Sequence, residues 1–276
     1  MDQLLGRGAQ GNSRRPRSQN GVHGPDSTRG TSGAVTTILH LTDLHLPATL
    51  GDRVGGFDTY ACLDRVLEAC ASRSPELDLV VLTGDQTEDA GAAVHQRLRN
   101  QLARYAGRFL AVPGNHDLAA ATEAVWGGEA SVEVAQWRLI GVDTTVSGAP
   151  HGDIDVEHLC ARLDRLDERW TMLAMHHPPL SPARHPDFLL RRAEQLLRAL
   201  RDRPHIRAVL TGHVHTPFEA TVGRCAVLGG PSTAIPVAHA GESFVVGADV
   251  PIGARIVKLE NDGSLMSQLI VPPAPR

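Results

Sequence analysis

The sequence predicts a mixed α/β domain built on two β-sheets, and three observations predict it. Short apolar runs alternate with helix-periodic segments. Several of those runs end in stretches rich in Asp, Asn and His. A set of strand-like runs late in the chain calls for a second sheet packed on the first.

Val35–Thr42 is a short β-branched run and reads as a strand ending at Asp43-Leu44-His45. Phe57–Arg73 follows as a helix, with Tyr60, Leu63, Val66, Leu67 and Cys70 on helical spacing. Leu77–Thr83 is a continuous apolar strand that delivers Gly84-Asp85. Residues 91–106 read as a helix with Val94, Leu98, Leu102 and Tyr105 on one face, and Phe109–Val112 as the strand before Gly114-Asn115-His116-Asp117. Trp137–Val142 is a strand, residues 155–169 a helix, and Thr171–Met175 a strand ending at His176. A helix is predicted over 187–201, then a strand Ile206–Thr211 that delivers Gly212-His213-Val214-His215. Phe218–Val222, Cys225–Leu228, Ala254–Leu259 and Leu265–Val271 complete the strands, with turn signals at Gly223 and Asn261-Asp262-Gly263. Polar residues at the carboxyl tips of strands are where such sheets carry their ligands.

At 276 residues and 42% hydrophobic, the chain is long enough for one well-buried domain. Lys258 is the only lysine, and the formal charge of −4 gives no basic footprint for a nucleic-acid polymer. Residues 1–34 carry five arginines against Asp2 and Asp26 and are rich in Gly, Ser and Asn. They read as a disordered tail or a mis-assigned start, ahead of a domain over 35–276 that is itself acidic. Cys62, Cys70, Cys160 and Cys225 are scattered, so a disulfide framework is not expected and a reducing cytoplasm is the default. No apolar run is long enough for a membrane helix.

The five Asp/Asn/His stretches carry the donor types suited to two adjacent hard-to-borderline cations, a device for phosphoester chemistry. Asp43 and His45 stand on alternate positions, so an extended chain points both the same way, and His213 and His215 repeat the pattern. Asp85, with two oxygens at a strand end, can bridge two cations, and Asn115 offers a neutral carbonyl. His116 cannot share the direction of Asn115 and is better placed to protonate a leaving oxygen, with Asp117 fixing its ring. His40, within a strand, reads as a buried structural histidine, and Ser232 and Thr233 as capping or turn residues.

Taken in order, D-x-H, G-D, G-N-H-[DE], H and G-H-x-H, the set resembles the calcineurin-like metallophosphoesterase superfamily over about residues 35–271. His176-His177-Pro178-Pro179 and Gly230-Pro231-Ser232-Thr233 resemble the bacterial class III cyclic-nucleotide phosphodiesterases. The resemblance implies a four-layer αββα sandwich of two mixed sheets flanked by helices. It implies a first metal on Asp43, His45, Asp85 and His215, and a second on Asp85, Asn115, His176 and His213, with Asp85 and a hydroxide between them. The metals of such enzymes are usually Mn²⁺ or Fe, sometimes with Zn²⁺. His116 would be the general acid, and His176 rather than His177 the ligand. Gln86 departs from the pattern, which places an apolar residue there.

The expected activity is hydrolysis of small phosphodiesters, 3′,5′-cyclic nucleotides among them, by in-line attack. A phosphomonoesterase, a nucleotide pyrophosphatase or a protein-binding scaffold on the same fold stay open, and a homodimer is possible. Substrate choice is expected to lie in loops 46–57, 144–153 and 231–250.

Overall fold

The computed structural model describes residues 35–74, 76–128, 130–247 and 249–274. The predicted tail at 1–34 lies outside them. The first sheet contains β1 (Thr36–Leu41), β2 (Leu79–Thr83), β3 (Phe109–Val112), β12 (Ala254–Leu259) and β13 (Leu265–Ile270), ordered β13-β12-β1-β2-β3. The second contains β4 (Ser131–Val134), β5 (Trp137–Gly141), β6 (Trp170–Ala174), β7 (Ile206–Thr211), β8 (Phe218–Val222) and β9 (Cys225–Gly229), ordered β4-β5-β6-β7-β9-β8. A separate hairpin pairs β10 (Val237–Ala240) with β11 (Ser243–Val246). The helices are α1 (Thr59–Arg73), α2 (Ala92–Leu102), α3 (Ala119–Trp126), α4 (Val156–Leu163) and α5 (Ala193–Arg201).

Strand apolarity on both faces explains the layering. Along β2, Leu79 and Val81 face one way and Val80 and Leu82 the other, and all are fully buried. Leu79 and Val81 pack with Ile38, Leu110, Leu139, Met172, Ala208 and Leu210 in a core between the two sheets. Val80 and Leu82 pack with Leu39, Leu63, Leu67, Val94 and Leu98 in a second core under α1 and α2. On the far side Leu173, Met175 and Val209 meet Leu159, Leu163, Leu196 and Leu200 of α4 and α5. Two sheets flanked by helices, with a core at each junction, make the expected αββα sandwich. A strand sandwiched between such layers has no polar face, so it reads as a continuous apolar run.

The helix expected over 187–201 starts later. Leu189 and Leu190 are drawn into extended pairing beside Gly152, whose N–H bonds Leu189 O at 3.0 Å while Arg191 N–H bonds Gly152 O at 2.9 Å. Only a 3₁₀ turn, Pro186–Phe188, forms before that extension. α3, β4 and the β10–β11 hairpin were not foreseen. All four cysteines are free. Among the described residues no helix is long and apolar enough to cross a membrane.

Strand direction positions the site. β1, β2 and β3 are parallel, as are β5, β6, β7 and β9. Their carboxyl ends carry all five Asp/Asn/His stretches.

Candidate metal centre

The chain leaves β1, β2 and β7 in an unusual way. Asp43, His45, Asp85, His213 and His215 all have positive φ, between 48° and 70°. Alternation along an extended chain therefore does not explain why Asp43 and His45, or His213 and His215, share a direction. Left-handed turns do, and backbone bonds hold them: Asp43 N–H to Gly84 O at 3.1 Å, and Leu44 and His45 N–H to Asp85 O at 2.8 and 2.9 Å. Such a conformation costs a non-glycine residue on the order of 1–2 kcal/mol, and Asp and His tolerate it better than most.

Asp43, His45, Asp85 and His215 form one group of donors, all buried. His45 Nδ1 bonds Glu88 Oε2 at 2.8 Å, and His215 Nδ1 bonds the Ile235 carbonyl at 2.6 Å. Carboxylate and carbonyl oxygens only accept, so both Nδ1 atoms donate. With each Nδ1 so engaged, the two Nε2 atoms face one another across 3.1 Å. Asp43 Oδ1 lies 3.4 Å from His215 Nε2, and Asp85 Oδ2 lies 3.7 Å from His45 Nε2. Burial holds His215 below the usual imidazole range against the Asp43 charge. The His213 backbone N–H serves both Asp43 oxygens and the His116 backbone N–H serves Asp85 Oδ1, while the two imidazole nitrogens and the carboxylates still face one another, an arrangement that fits a divalent cation.

A second group shares Asp85. His176 Nδ1 donates to Thr83 O at 2.7 Å, which leaves Nε2 3.3 Å from Asp85 Oδ2 and 3.1 Å from Asn115 Oδ1. His213 Nε2 donates to Asp187 O at 2.9 Å, leaving Nδ1 as its acceptor. Burial opposes charge on His176, but Asp85 raises it to about 9, so a proton and a cation compete for that nitrogen. Burial keeps His213 neutral, with His177 and His176 adding to the effect. Burial also works against ionised Asp85, yet His176, His45 and His116 outweigh it and hold the carboxyl well below the carboxylate range. His177 stands near His176 and His213. Both of its nitrogens are engaged elsewhere, Nδ1 with Thr144 Oγ1 at 2.8 Å and Nε2 with Pro150 O at 3.1 Å.

His116 stands beside these groups, its ring 4.9 Å from that of His45. The partner expected for it, Asp117, faces the other way. Its buried carboxylate accepts from Gly114, Gln86 and Thr87 N–H and from Thr87 Oγ1, so it braces the loop and does not orient the ring. Burial and then the Asp85 charge push the Asp117 pKa up. The residue that holds His116 is Glu88. Its Oε1 accepts from His116 Nδ1 at 2.9 Å while Oε2 holds His45. That bond is the main reason His116 is raised to about 9. Burial opposes the Glu88 charge, and the hydrogen bonds from His116 and His45 outweigh it, bringing the carboxyl down to about 2.

The calcineurin-like phosphoesterase model matches residues 36–217, which span every one of these donors. The chain belongs to the calcineurin-like phosphoesterase family. Among its curated relatives, the 3′,5′-cyclic adenosine monophosphate phosphodiesterase CpdA of Pseudomonas aeruginosa is 31% identical over 250 residues, covering 87% of this chain and 91% of that protein. The enzyme of the same name in Escherichia coli K12 is 30% identical over 84% of this chain and 88% of its own length. A dimetal phosphatase from Danio rerio shares the fold with a TM-score of 0.52 at 14% identity, over 86% of this chain and 99% of that one.

Other parts of this calcineurin-like site are scaffolding. Ser232 Oγ donates to Asp43 O at 2.7 Å and Thr233 Oγ1 to Thr42 O at 3.0 Å, tying the end of β1 in place. Gln86, the departure from the family pattern, is buried and donates from Nε2 to Val112 O at 2.8 Å. His40 is buried against Thr83 Oγ1 at 2.8 Å. A cleft of about 310 Å³ opens over the donors. It takes its walls from the three predicted loops and also from Asp187 and Phe188, which sequence reasoning did not place there.

Proposed function

We propose that the chain is a binuclear metal-dependent phosphodiesterase that hydrolyses small diesters, 3′,5′-cyclic nucleotides among them. The observation that carries this reading is the buried Asp43, His45, Asp85 and His215 cluster, whose Asp85 also comes within 3.3 Å of His176 in the neighbouring cluster of His176, His177 and His213. One cation would be held by Asp43, His45, Asp85 and His215, the other by Asp85, Asn115, His176 and His213. The mixed oxygen and imidazole set suits Mn²⁺, Fe or Zn²⁺. Two bound cations of this kind neutralise phosphoryl charge and lower the pKa of water enough to supply hydroxide near neutral pH.

The chain's own residues do the rest. Carbonyl and carboxylate partners on His45, His176, His213 and His215 fix which nitrogen of each ring faces the site. Glu88 keeps a proton on Nδ1 of His116, which turns Nε2 to the cleft that His116 lines. From there His116 protonates the departing alkoxide, and Glu88 balances the charge of the imidazolium before the transfer. The names of the Pseudomonas and Escherichia relatives support a cyclic-nucleotide substrate. The test is Mn²⁺-restored hydrolysis of 3′,5′-cyclic AMP by chelator-stripped protein, beside bis(p-nitrophenyl) phosphate. Efficiency above ~10⁴ M⁻¹s⁻¹ on the cyclic nucleotide is the expected result. Cleavage of the control alone would refute the cyclic-nucleotide assignment, and no cleavage of either would refute the enzyme.

A further inference from the structure

The cleft has two unlike sides. One is the donor set and His116. The other is apolar, with Val54, Phe188, Ile235, Val237, Phe244 and Val246. Aromatic residues are only 4% of the chain, yet two of its five phenylalanines stand in this corner. Phe188 is the fixed member. Its ring lies edge-on to those of Phe244 (5.2 Å, 84°) and His239 (4.7 Å, 85°) and 5.2 Å from that of the proposed ligand His213. The carbonyl just before it, Asp187 O, receives His213 Nε2–H, so the aromatic corner and the donor cluster are braced against each other. His239 is itself held by Val214 O at 2.8 Å, one residue past His213.

Phe244 is the outer member and remains 41% exposed, with Val246 at 49% beside it. The hairpin that carries them pairs with neither main sheet. A two-stranded ribbon standing alone has little stability of its own, and exposed apolar surface next to a hydrolytic site marks a place where something binds. The volume decides how large that something is. About 310 Å³ is at the small end of the ~300–1,000 Å³ usual for ligand pockets. It suits one nucleotide.

We propose that the β10–β11 hairpin and the 3₁₀ turn form a nucleobase box, with Phe188 as its wall and Phe244 as the lip on which the base stacks while the phosphate meets the donor cluster. This rests on the phosphodiesterase reading for its substrate but on the cleft for its existence. A base presents a flat π face, and stacking on an aromatic ring recognises that face whichever base carries it.

The test uses full-length, Mn²⁺-loaded protein as wild type, Phe244→Ala and Phe244→Tyr. Adenosine, which has no phosphate, probes the box. Inorganic phosphate, which has no base, probes the donor cluster. Both are measured as competitive inhibitors of bis(p-nitrophenyl) phosphate hydrolysis, with adenosine binding repeated by calorimetry. Phe244→Ala is expected to weaken adenosine binding by about 5- to 100-fold, to raise KM for 3′,5′-cyclic AMP in step, and to leave the phosphate constant in place. Phe244→Tyr keeps the ring and is expected to restore adenosine binding. Unchanged adenosine affinity in Phe244→Ala would overturn the box. So would phosphate affinity falling in parallel, because the hairpin would then merely shape the donor cluster. If wild type binds adenosine through Phe244 but does not cleave cyclic AMP, the box stands and the substrate reading falls.

Discussion

Glu88→Gln isolates the work of one carboxylate. The side chain holds His45 Nδ1 through one oxygen and His116 Nδ1 through the other, at 2.8 and 2.9 Å. With its pKa brought down to about 2, it meets both rings as a full charge near neutral pH. Glutamine keeps the shape and loses half the chemistry, because its oxygen accepts from one ring and its NH₂ faces the N–H of the other. A hydrogen bond to a charged group is worth about 1.5–3 kcal/mol, so one lost contact corresponds to roughly 10- to 100-fold in rate. Glu88 keeps 31% exposure, water replaces part of what is lost, and the lower end is expected. The assay compares kcat for 3′,5′-cyclic AMP, whose leaving alkoxide needs a proton, with kcat for bis(p-nitrophenyl) phosphate, whose leaving phenolate does not. The larger loss is expected on the cyclic nucleotide. Metal content is measured in parallel, since loosening His45 weakens the cluster it belongs to. A double-mutant cycle with His116→Ala separates the two effects. If Glu88 acts through His116, the leaving-group preference of the double variant equals that of His116→Ala. Multiplied losses in that preference would refute the positioning role.

His116→Ala is expected to retain its metals by elemental analysis and to lose about 10²–10⁴ in turnover, most sharply with poor leaving groups; metal loss without that selectivity would remove it from the reaction. Asp117→Ala leaves the Gly114, Gln86 and Thr87 N–H groups without their acceptor, so urea unfolding is expected to show a loss of stability of at least ~1–3 kcal/mol, with the leaving-group preference of the remaining activity unchanged. A Cβ on Gly114 would overlap the Asp85 carboxylate and backbone nitrogen, so Gly114→Ala is expected to lose metal while its circular dichroism stays native. Burial, aided by Arg255, holds His40 at about 3, against 6.5 for a free histidine, so stability is flat above pH 6.5 and falls below it as only the unfolded chain takes the proton. At pH 5 that loss is about 2 kcal/mol, and His40→Met is expected to show a correspondingly shallower fall in urea midpoint from pH 7.5 to 5.

What the sequence disclosed, and what it concealed, follows from how each feature is encoded. Strands buried on both faces are continuous apolar runs, and the donors stand immediately after them, so both were readable as strings. α3 has no stripe to read, being half alanine with only Thr122 and Val125 buried. The β10–β11 hairpin was missed although Gly241-Glu242 offered a two-residue turn signal between its strands. Its four β11 residues are all exposed and show no alternation. Glu88 was missed for a different reason. It lies three residues past Asp85 and pairs with His45 from the β1 loop and His116 from the β3 loop. Only the parallel pairing of β1, β2 and β3 brings the three together. Asp117 drew attention because it is adjacent to His116, but adjacent residues at a turn point apart, and its partners are Gly114 in its own loop and Gln86 and Thr87 in the β2 loop.

The glycines in the donor motifs belong to the same geometry. Gly84, Gly114 and Gly212 each precede a proposed ligand, and a Cβ at any of them would overlap a neighbouring loop: His176 at Gly84, Asp85 at Gly114, Thr42 and Asp43 at Gly212. Those loops must touch for Asp85 to reach both clusters, and they can touch only where no side chain stands between them. The residues that follow cannot all be glycine, because they must carry the donors, so Asp43, His45, Asp85, His213 and His215 take the left-handed backbone themselves. Sheet pairing and the Ser232 and Thr233 bonds offset that strain and hold it in place before any cation arrives. Close approach, positive φ and donor identity therefore meet after β2 and β7, where a glycine precedes a left-handed donor, and the tips of β1 and β3 each supply part of the same constraint.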